Sequence, residues 1–353
     1  MAILYMKKTL IACGLFLLPT FAALAQKKIT FRIPETDTAK LRAAYSGIEM
    51  VDARNDTADL GFSRLGFSGK ELPVVAEPSL RVQLRNLPGV SFAPDSPVLV
   101  LLLRQLAFAE EIRSPDGRSY ADVCTFTAHL YEREGNHYQL IGVIDTLYSS
   151  AETRTSEPLR SFVDTVERAV GATIRPFLNQ LPAAGAPFFT SVAQIRKVAD
   201  SIDKSRFPLY TLSTLRNGLY DHFRSFVMQT PDVRIDTTQK ARYVSIWDEK
   251  KERFRPLLPG RKYYALVKDD TAYVLTSTGA RKLIWHKGDL AVTGTPEDSR
   301  SYVGAAVGVQ FGLIGGLIGG LADAAINAKK DNASYYYIFD PLSGIFYKGE
   351  KVQ

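Results

Sequence analysis

Cysteine, histidine and tryptophan are scarce in this chain, with two, four and two among 353 residues. Two cysteines build neither a disulfide scaffold nor a four-cysteine zinc site. His129, His137, His222 and His286 stand singly, with no His-Glu-x-x-His and no Cys-x-x-Cys spacing, so no metallopeptidase helix or thiol redox pair is written here. No metal or other cofactor is expected. Runs of one charge are also missing: the longest charged cluster, Asp248 to Arg253, mixes both signs, whereas a nucleic-acid surface needs a concentrated basic stripe. Nucleic acid is therefore not an expected partner. Gly66-Phe67-Ser68-Gly69-Lys70 has the glycine spacing of neither a nucleophile elbow nor a phosphate loop. With no catalytic constellation in view, the chain reads as a non-enzyme.

What is present begins with an export signal over residues 1–25. Lys7 and Lys8 precede an apolar run from Leu10 to Leu18, and Ala23-Leu24-Ala25 supplies the small-x-small cleavage site. A rival reading takes Leu10-Ile11-Ala12-Cys13-Gly14 as a lipobox with Cys13 acylated, although the apolar stretch before Cys13 is short for one. Removing 1–25 takes two of 44 basic residues and none of 37 acidic ones, so the net charge falls from +7 to 42 − 37 = +5. Cys124 is then alone and has no partner for an internal disulfide.

The remaining chain predicts an α+β fold in two domains. Over 26–181, Val98–Leu103 is an unbroken apolar run, the mark of a strand buried on both faces. Cys124, Phe126, Ala128 and Leu130 alternate with Thr125, Thr127 and His129 in the next strand, and Tyr138–Tyr148 pairs back through Glu134-Gly135-Asn136. An antiparallel sheet results. From Leu159 through Val163, Val166, Val170 and Ile174 to Leu178 an apolar stripe recurs at three and four residues, which predicts a long amphipathic helix covering that sheet. Residues 182–206 read as a linker with a short helix. The domain over 207–353 is β-rich, opening with Tyr220, Phe223, Phe226 and Val227 on one predicted helical face and continuing with short strands, including a hairpin at Lys268-Asp269-Asp270-Thr271. Asp52 and Arg54, two apart on a strand, are placed to form a structural ion pair.

One segment departs from ordinary globular sequence. Gly304, Gly308, Gly312, Gly316 and Gly320 recur every four residues, the small residues extend the repeat to 328, and no charge occurs between Val303 and Ala322. Glycine in a helix costs about 1 kcal/mol relative to alanine, so a helix over 303–328 needs tight packing to persist. Small residues four apart form a groove that another backbone can enter. Three readings stay open: a glycine-packed helix or hairpin docked on its own domain or on a second copy, membrane association, and a flexible glycine loop. Twenty residues at about 1.5 Å each match a bilayer core, but a single crossing would strand the Tyr335–Tyr347 hairpin on the far side.

Gly218, Tyr220, Phe223, Phe226 and Pro231 spell Gly-x-Tyr-x-x-Phe-x-x-Phe-x-x-x-x-Pro, and Phe339-Asp340 with Gly344 closes the same region. Over about 207–350 the chain resembles the uncharacterised secreted proteins of Bacteroidetes that carry this hallmark, a resemblance that implies no known activity. Val51-Asp52-Ala53-Arg54, the antiparallel strands and the closing helix over about 27–181 resemble YajG-type envelope lipoproteins and transport-auxiliary domains. The expectation is an exported, non-enzymatic envelope protein, periplasmic or associated with the outer membrane, in an accessory or scaffolding role. Its glycine segment would meet a second copy, another envelope protein or a membrane. The alternative is a periplasmic module for carbohydrate or another ligand, built on the aromatic strand residues around Tyr263, Trp285 and Tyr335.

Overall fold

The computed structural model describes residues 28–34, 41–55, 57, 60–65, 70–112, 120–150, 160–235, 245–248, 253–256, 263–276, 279–295 and 333–352. The export signal with Cys13 and the glycine segment with Gly304, Gly308, Gly312, Gly316 and Gly320 lie outside the described residues. The fold is mixed α+β.

The first body runs β1 (Ile29–Phe31), β2 (Leu41–Arg42), β3 (Ile48–Asp52), β4 (Phe62–Leu65), β5 (Lys70–Ala76), α1 (Leu80–Arg85), β6 (Val90–Ser91), β7 (Val98–Ile112), β8 (Tyr120–Glu134), β9 (His137–Ser149), α2 (Arg160–Ile174), β10 (Phe188–Phe189) and α3 (Val192–Ser205). Its main sheet has the order β10-β9-β8-β7-β3. This sheet is mixed, not wholly antiparallel: β3 lies parallel to β7, with Ile48 opposite Leu99. Parallel neighbours need a long crossover, and here the chain between them supplies β4, β5, α1 and β6. The apolar run in β7 is buried on both faces, Leu99 to Leu103 all being at most 2% exposed. At roughly 1.5–3 kcal/mol per large apolar side chain, that run is a major source of the body's stability.

The strand alternation divides this body into two layers. Leu99, Leu101 and Leu103 of β7 share a core with Cys124, Phe126, Ala128 and Leu130 of β8 and with Val163, Val166, Val170 and Ile174 of α2. Pro176 follows in a 3-10 turn, Arg175–Asn179, where its missing N–H ends the α-helix. Val100, Leu102 and Tyr131 point the other way and meet Ile195 and Ala199 of α3. The segment read from sequence as a linker thus carries the fifth strand of the sheet and the helix on its second face. Where β1 ends, buried side chains replace ladder partners: Gln83 Oε1 accepts from Ile33 N at 2.8 Å, and Glu167 accepts from Arg32 N at 2.5 Å.

The second body holds α4 (Pro208–Thr211), β11 (Gly218–Tyr220), α5 (Phe223–Val227), β12 (Ser245–Asp248), β13 (Arg253–Pro256), β14 (Ala265–Lys268), β15 (Thr271–Thr276), β16 (Gly279–Lys282), β17 (Ile284–His286), β18 (Asp289–Gly294), β19 (Tyr335–Phe339) and β20 (Phe346–Lys351). Two four-stranded sheets, β11-β14-β15-β16 and β17-β18-β19-β20, share one core. The β14–β15 turn has Asp269 at φ 51° and Asp270 at φ 59°, two left-handed residues in succession, which gives the twist that two-residue hairpins favour. Across β18 and β19, Gly294 stands opposite Tyr335. The end of β18 and the start of β19 are therefore neighbours in the second sheet.

Candidate functional site

The most unusual chemistry sits where β7 stops being apolar. A β-bulge falls between Leu103 and Gln105, so Arg104 is an extra residue in the strand. The bulge resets the alternation: Leu106 and Phe108 return to the α2 side, while Arg104 reaches the side covered by α3. Along α3, Ile195, Ala199 and Asp203 recur four residues apart and are at most 1% exposed. An ionised carboxylate in such a stripe is costly unless opposite charge and hydrogen bonds surround it.

Asp203 has both. Arg104 Nε donates to its Oδ2 at 2.8 Å, and His129 Nε2 lies 2.9 Å from its Oδ1. Because an ionised carboxylate only accepts, Nε2 is assigned the proton, and His129 Nδ1 has no hydrogen-bond partner among the described residues. Arg206 reaches within 3.7 Å of the same carboxylate and pairs with Asp145. The series continues outward. Arg104 Nη2 donates to Asp200 Oδ1 at 3.2 Å, Lys204 Nζ lies 2.6 Å from Asp200 Oδ2, and Lys204 also pairs with Asp289 of the second body. His129, Asp203, Arg104, Asp200, Lys204 and Asp289 thus form a ladder alternating between acceptor and donor, from the middle strand of the first body's sheet to the first residue of β18 in the second body.

Burial pushes the Lys204 ammonium down, but its hydrogen bonds to Asp200 and Asp289 together outweigh that and hold it above the ordinary lysine range. Arg104 behaves the same way: burial opposes its charge, and Asp203 restores it. Lys204 also sits 5.9 Å from the centre of the Tyr210 ring, whose hydroxyl has no hydrogen-bond partner among the described residues and is pushed well up by burial and then by Asp289. Beside the ladder, Asn55 Nδ2 donates to Asp340 Oδ2 at 2.9 Å. Every charge in the ladder already has an opposite partner, so the arrangement is suited to holding two bodies together. Among the described residues no group of three His, Cys, Asp or Glu is placed to hold a metal ion. A gap of about 10 Å³ in the first core is lined by apolar side chains including Ile33, Leu101 and Phe126.

The motif residues of the second body come together, but not as one helix. Gly218 and Tyr220 belong to β11, while Phe223 and Phe226 belong to α5. His222 separates the two, its Nδ1 accepting from Ser225 N at 3.0 Å as the helix cap. A Cβ on Gly218 would stand 2.4 Å from Pro231 Cβ, so the first and last motif residues touch. Phe226 packs edge-on to Tyr220 at 5.4 Å and to Phe339 at 6.1 Å between ring centres. The closing turn joins them: Tyr264 Oη donates to Gly344 O at 2.9 Å, and a Cβ on Gly344 would stand 2.5 Å from the Phe223 ring. These residues form the packing centre of the second core.

The remaining sequence candidates scatter. Arg54 forks onto Asp52, Nε to Oδ1 at 3.0 Å and Nη2 to Oδ2 at 2.8 Å. Cys124 is wholly buried, and burial pushes its thiol well up. Tyr263, Tyr264 and Tyr337 are buried in the second body, whereas Trp285 is 59% exposed with Tyr210 edge-on to it at 5.6 Å. The ladder is what sequence reasoning missed. Two signals existed for it: Arg104-Gln105 interrupting an apolar run, and Asp203 in register with Ile195 and Ala199.

No protein-family model matches the chain, and no curated protein matches it. The chain is similar to a solved structure described as an uncharacterized protein, at 14% identity over 42% of this chain and 95% of that one, with a TM-score of 0.22.

Proposed function

We propose that this is a non-enzymatic, exported envelope protein, periplasmic or associated with the outer membrane, which acts as an accessory or scaffolding unit through its glycine segment. In this reading the first body is a sheet covered by the long helix α2, and 303–328 forms a glycine-zipper helix or hairpin that meets a second copy, another envelope protein or a membrane surface. The observation that carries it is the pairing of Gly294 with Tyr335. Neighbouring strands at the two ends of the segment leave the β18–β19 pairing intact whatever the segment contacts, which supports its use as a contact element. A single bilayer crossing by 303–322 would instead have to return through residues that include Asp323, Lys329, Lys330 and Asp331, and charges of that kind cost about 2.5–3.5 kcal/mol each at the bilayer centre. The reading accordingly favours docking or shallow insertion over a span. Cell fractionation with protease accessibility of a C-terminal tag tests it. Association lost on Gly312→Leu or Gly316→Leu supports it, and a wholly soluble monomer unaffected by either substitution sinks it.

A ligand-binding module is the second reading, favoured by one observation. Trp285 presents its ring to solvent beside Tyr210 on an edge strand, an aromatic platform of the kind that sugars stack on. A glycan array comparing the protein with Trp285→Ala tests it, and no hit for the unaltered protein removes it.

A further inference from the structure

We propose that the two bodies are hinged between α3 and α4 and are held closed by the solvent-facing end of the charge ladder, which makes their relative orientation sensitive to ionic strength. Two anchors lie on either side of the hinge. Asp203, Ile195 and Ala199 fix α3 to the first sheet, and all three are at most 1% exposed. Leu209 of α4, 1% exposed, belongs to the second core. Between these anchors the helix ends: Arg206 caps α3, and Phe207, extended at φ −102° and ψ 121°, precedes Pro208. A proline disfavours helical geometry in the residue before it, so α3 and α4 cannot merge into one rigid rod.

The closing contacts differ from the anchoring ones in their exposure to water. Lys204 and Asp289 are 15% and 27% exposed, and the Asn55 to Asp340 hydrogen bond is exposed. The Asp203 to His129 contact is sealed, at 1% and 0%. Screening acts on exposed charges and much less on buried ones. Salt therefore loosens the Lys204 to Asp289 latch while α3 stays seated on the first body. Asp200 supports this division: it neutralises Lys204 from within α3 at 2.6 Å, so the lysine stays charged and placed when Asp289 withdraws.

Pulsed dipolar spectroscopy on the mature two-body chain tests the proposal, with spin labels at Asn136→Cys on the first body and Lys351→Cys on the second. Both positions are exposed, and the native Cys124 is buried beyond the reach of the label. Raising salt from about 0.01 M to about 1 M shortens the screening length from roughly 30 Å to roughly 3 Å, and is expected to add a longer-distance population. Asp289→Lys is expected to produce that population at low salt, and Asp289→Asn to produce less of it. The charge swap Lys204→Glu with Asp289→Lys is expected to return the short distance. A distribution indifferent to both salt and Asp289→Lys overturns the proposal, as does a charge swap no more closed than Asp289→Lys alone.

Discussion

The two bodies are built from different apolar material. Among the described residues, four of the 27 buried in the first core are aromatic, Phe31, Tyr45, Phe108 and Phe126. Of the 16 in the second, seven are aromatic: Tyr220, Phe223, Phe226, Tyr264, Tyr337, Phe339 and Phe346. Leucine and valine on long strands pack by volume and alternation, and many arrangements of them are nearly equivalent. Rings prefer edge-on or offset geometry at set separations, so each ring fixes the spacing of its neighbours. The second body can thus be centred on a few residues, while the first spreads its stability over long strands.

Deleting one side chain from each core is expected to have the largest effect. Phe226→Ala removes a ring that touches Tyr220, Tyr264 and Phe339, and a loss of about 3–5 kcal/mol is expected. Trp247 and Trp285 both lie after residue 207, so tryptophan fluorescence during urea unfolding follows the second body alone. Leu101→Ala is expected to cost about 2–5 kcal/mol in the first body, seen by far-ultraviolet circular dichroism with a smaller shift in the fluorescence transition. Coincident transitions in both variants would mean that the ladder makes the bodies one cooperative unit.

Asp203→Ala attacks the ladder itself. It leaves Arg104 and His129 without their shared acceptor in a buried setting, and about 3–5 kcal/mol of loss is expected. Replacing Arg104 by Met and Asp203 by Leu together is expected to recover the part of it that comes from the unpaired Arg104 charge, since removing both charges also removes their desolvation, while the part that comes from His129 losing its acceptor remains. A smaller effect is expected from Gly344→Ala. That glycine has φ 73° and lies against the Phe223 ring, so a methyl group there should cost about 1–3 kcal/mol, read by fluorescence and confined to the second body.

The same contrast governs what could be read from sequence. The first body announced itself through period: Leu99, Leu101 and Leu103 against Val100 and Leu102, and Cys124 against His129, sort to opposite faces as their alternation requires. The second announced itself through spaced aromatic residues, but periodicity misread them, because Tyr220 and Phe223 are separated by the His222 cap and do not share a helix. The parallel placement of β3 and the bulge at Arg104 were illegible. Both depend on which strand a distant segment meets, and a single-sequence pattern carries no such information. Asp203 was overlooked because one polar residue in an amphipathic stripe looks like imperfect periodicity until its partners, far away in the chain, are known.

The smallest expected effect separates the two cores by pH. Burial raises Tyr210, Tyr220, Tyr264 and Tyr347 in the second body, and Tyr45, Tyr131 and Tyr148 in the first. Lys204 is raised as well. A group raised in the folded state keeps its proton there while the unfolded chain releases it near the ordinary value, 10.0 for tyrosine and 10.5 for lysine. The stability it contributes is therefore complete below that value and falls as pH rises through it. Unfolding at about pH 8 and about pH 10.5, on either side of the ordinary tyrosine value, should show both transitions weakened and the fluorescence transition weakened more. Tyr210→Phe isolates one contribution. Its hydroxyl has no hydrogen-bond partner among the described residues, so the variant should match the parent within about 0.5 kcal/mol near neutrality. It should also lose less stability at high pH, because a phenyl ring has no proton to release. An equal alkaline loss in variant and parent would take Tyr210 out of the account and leave the aromatic core distinguished by its packing alone.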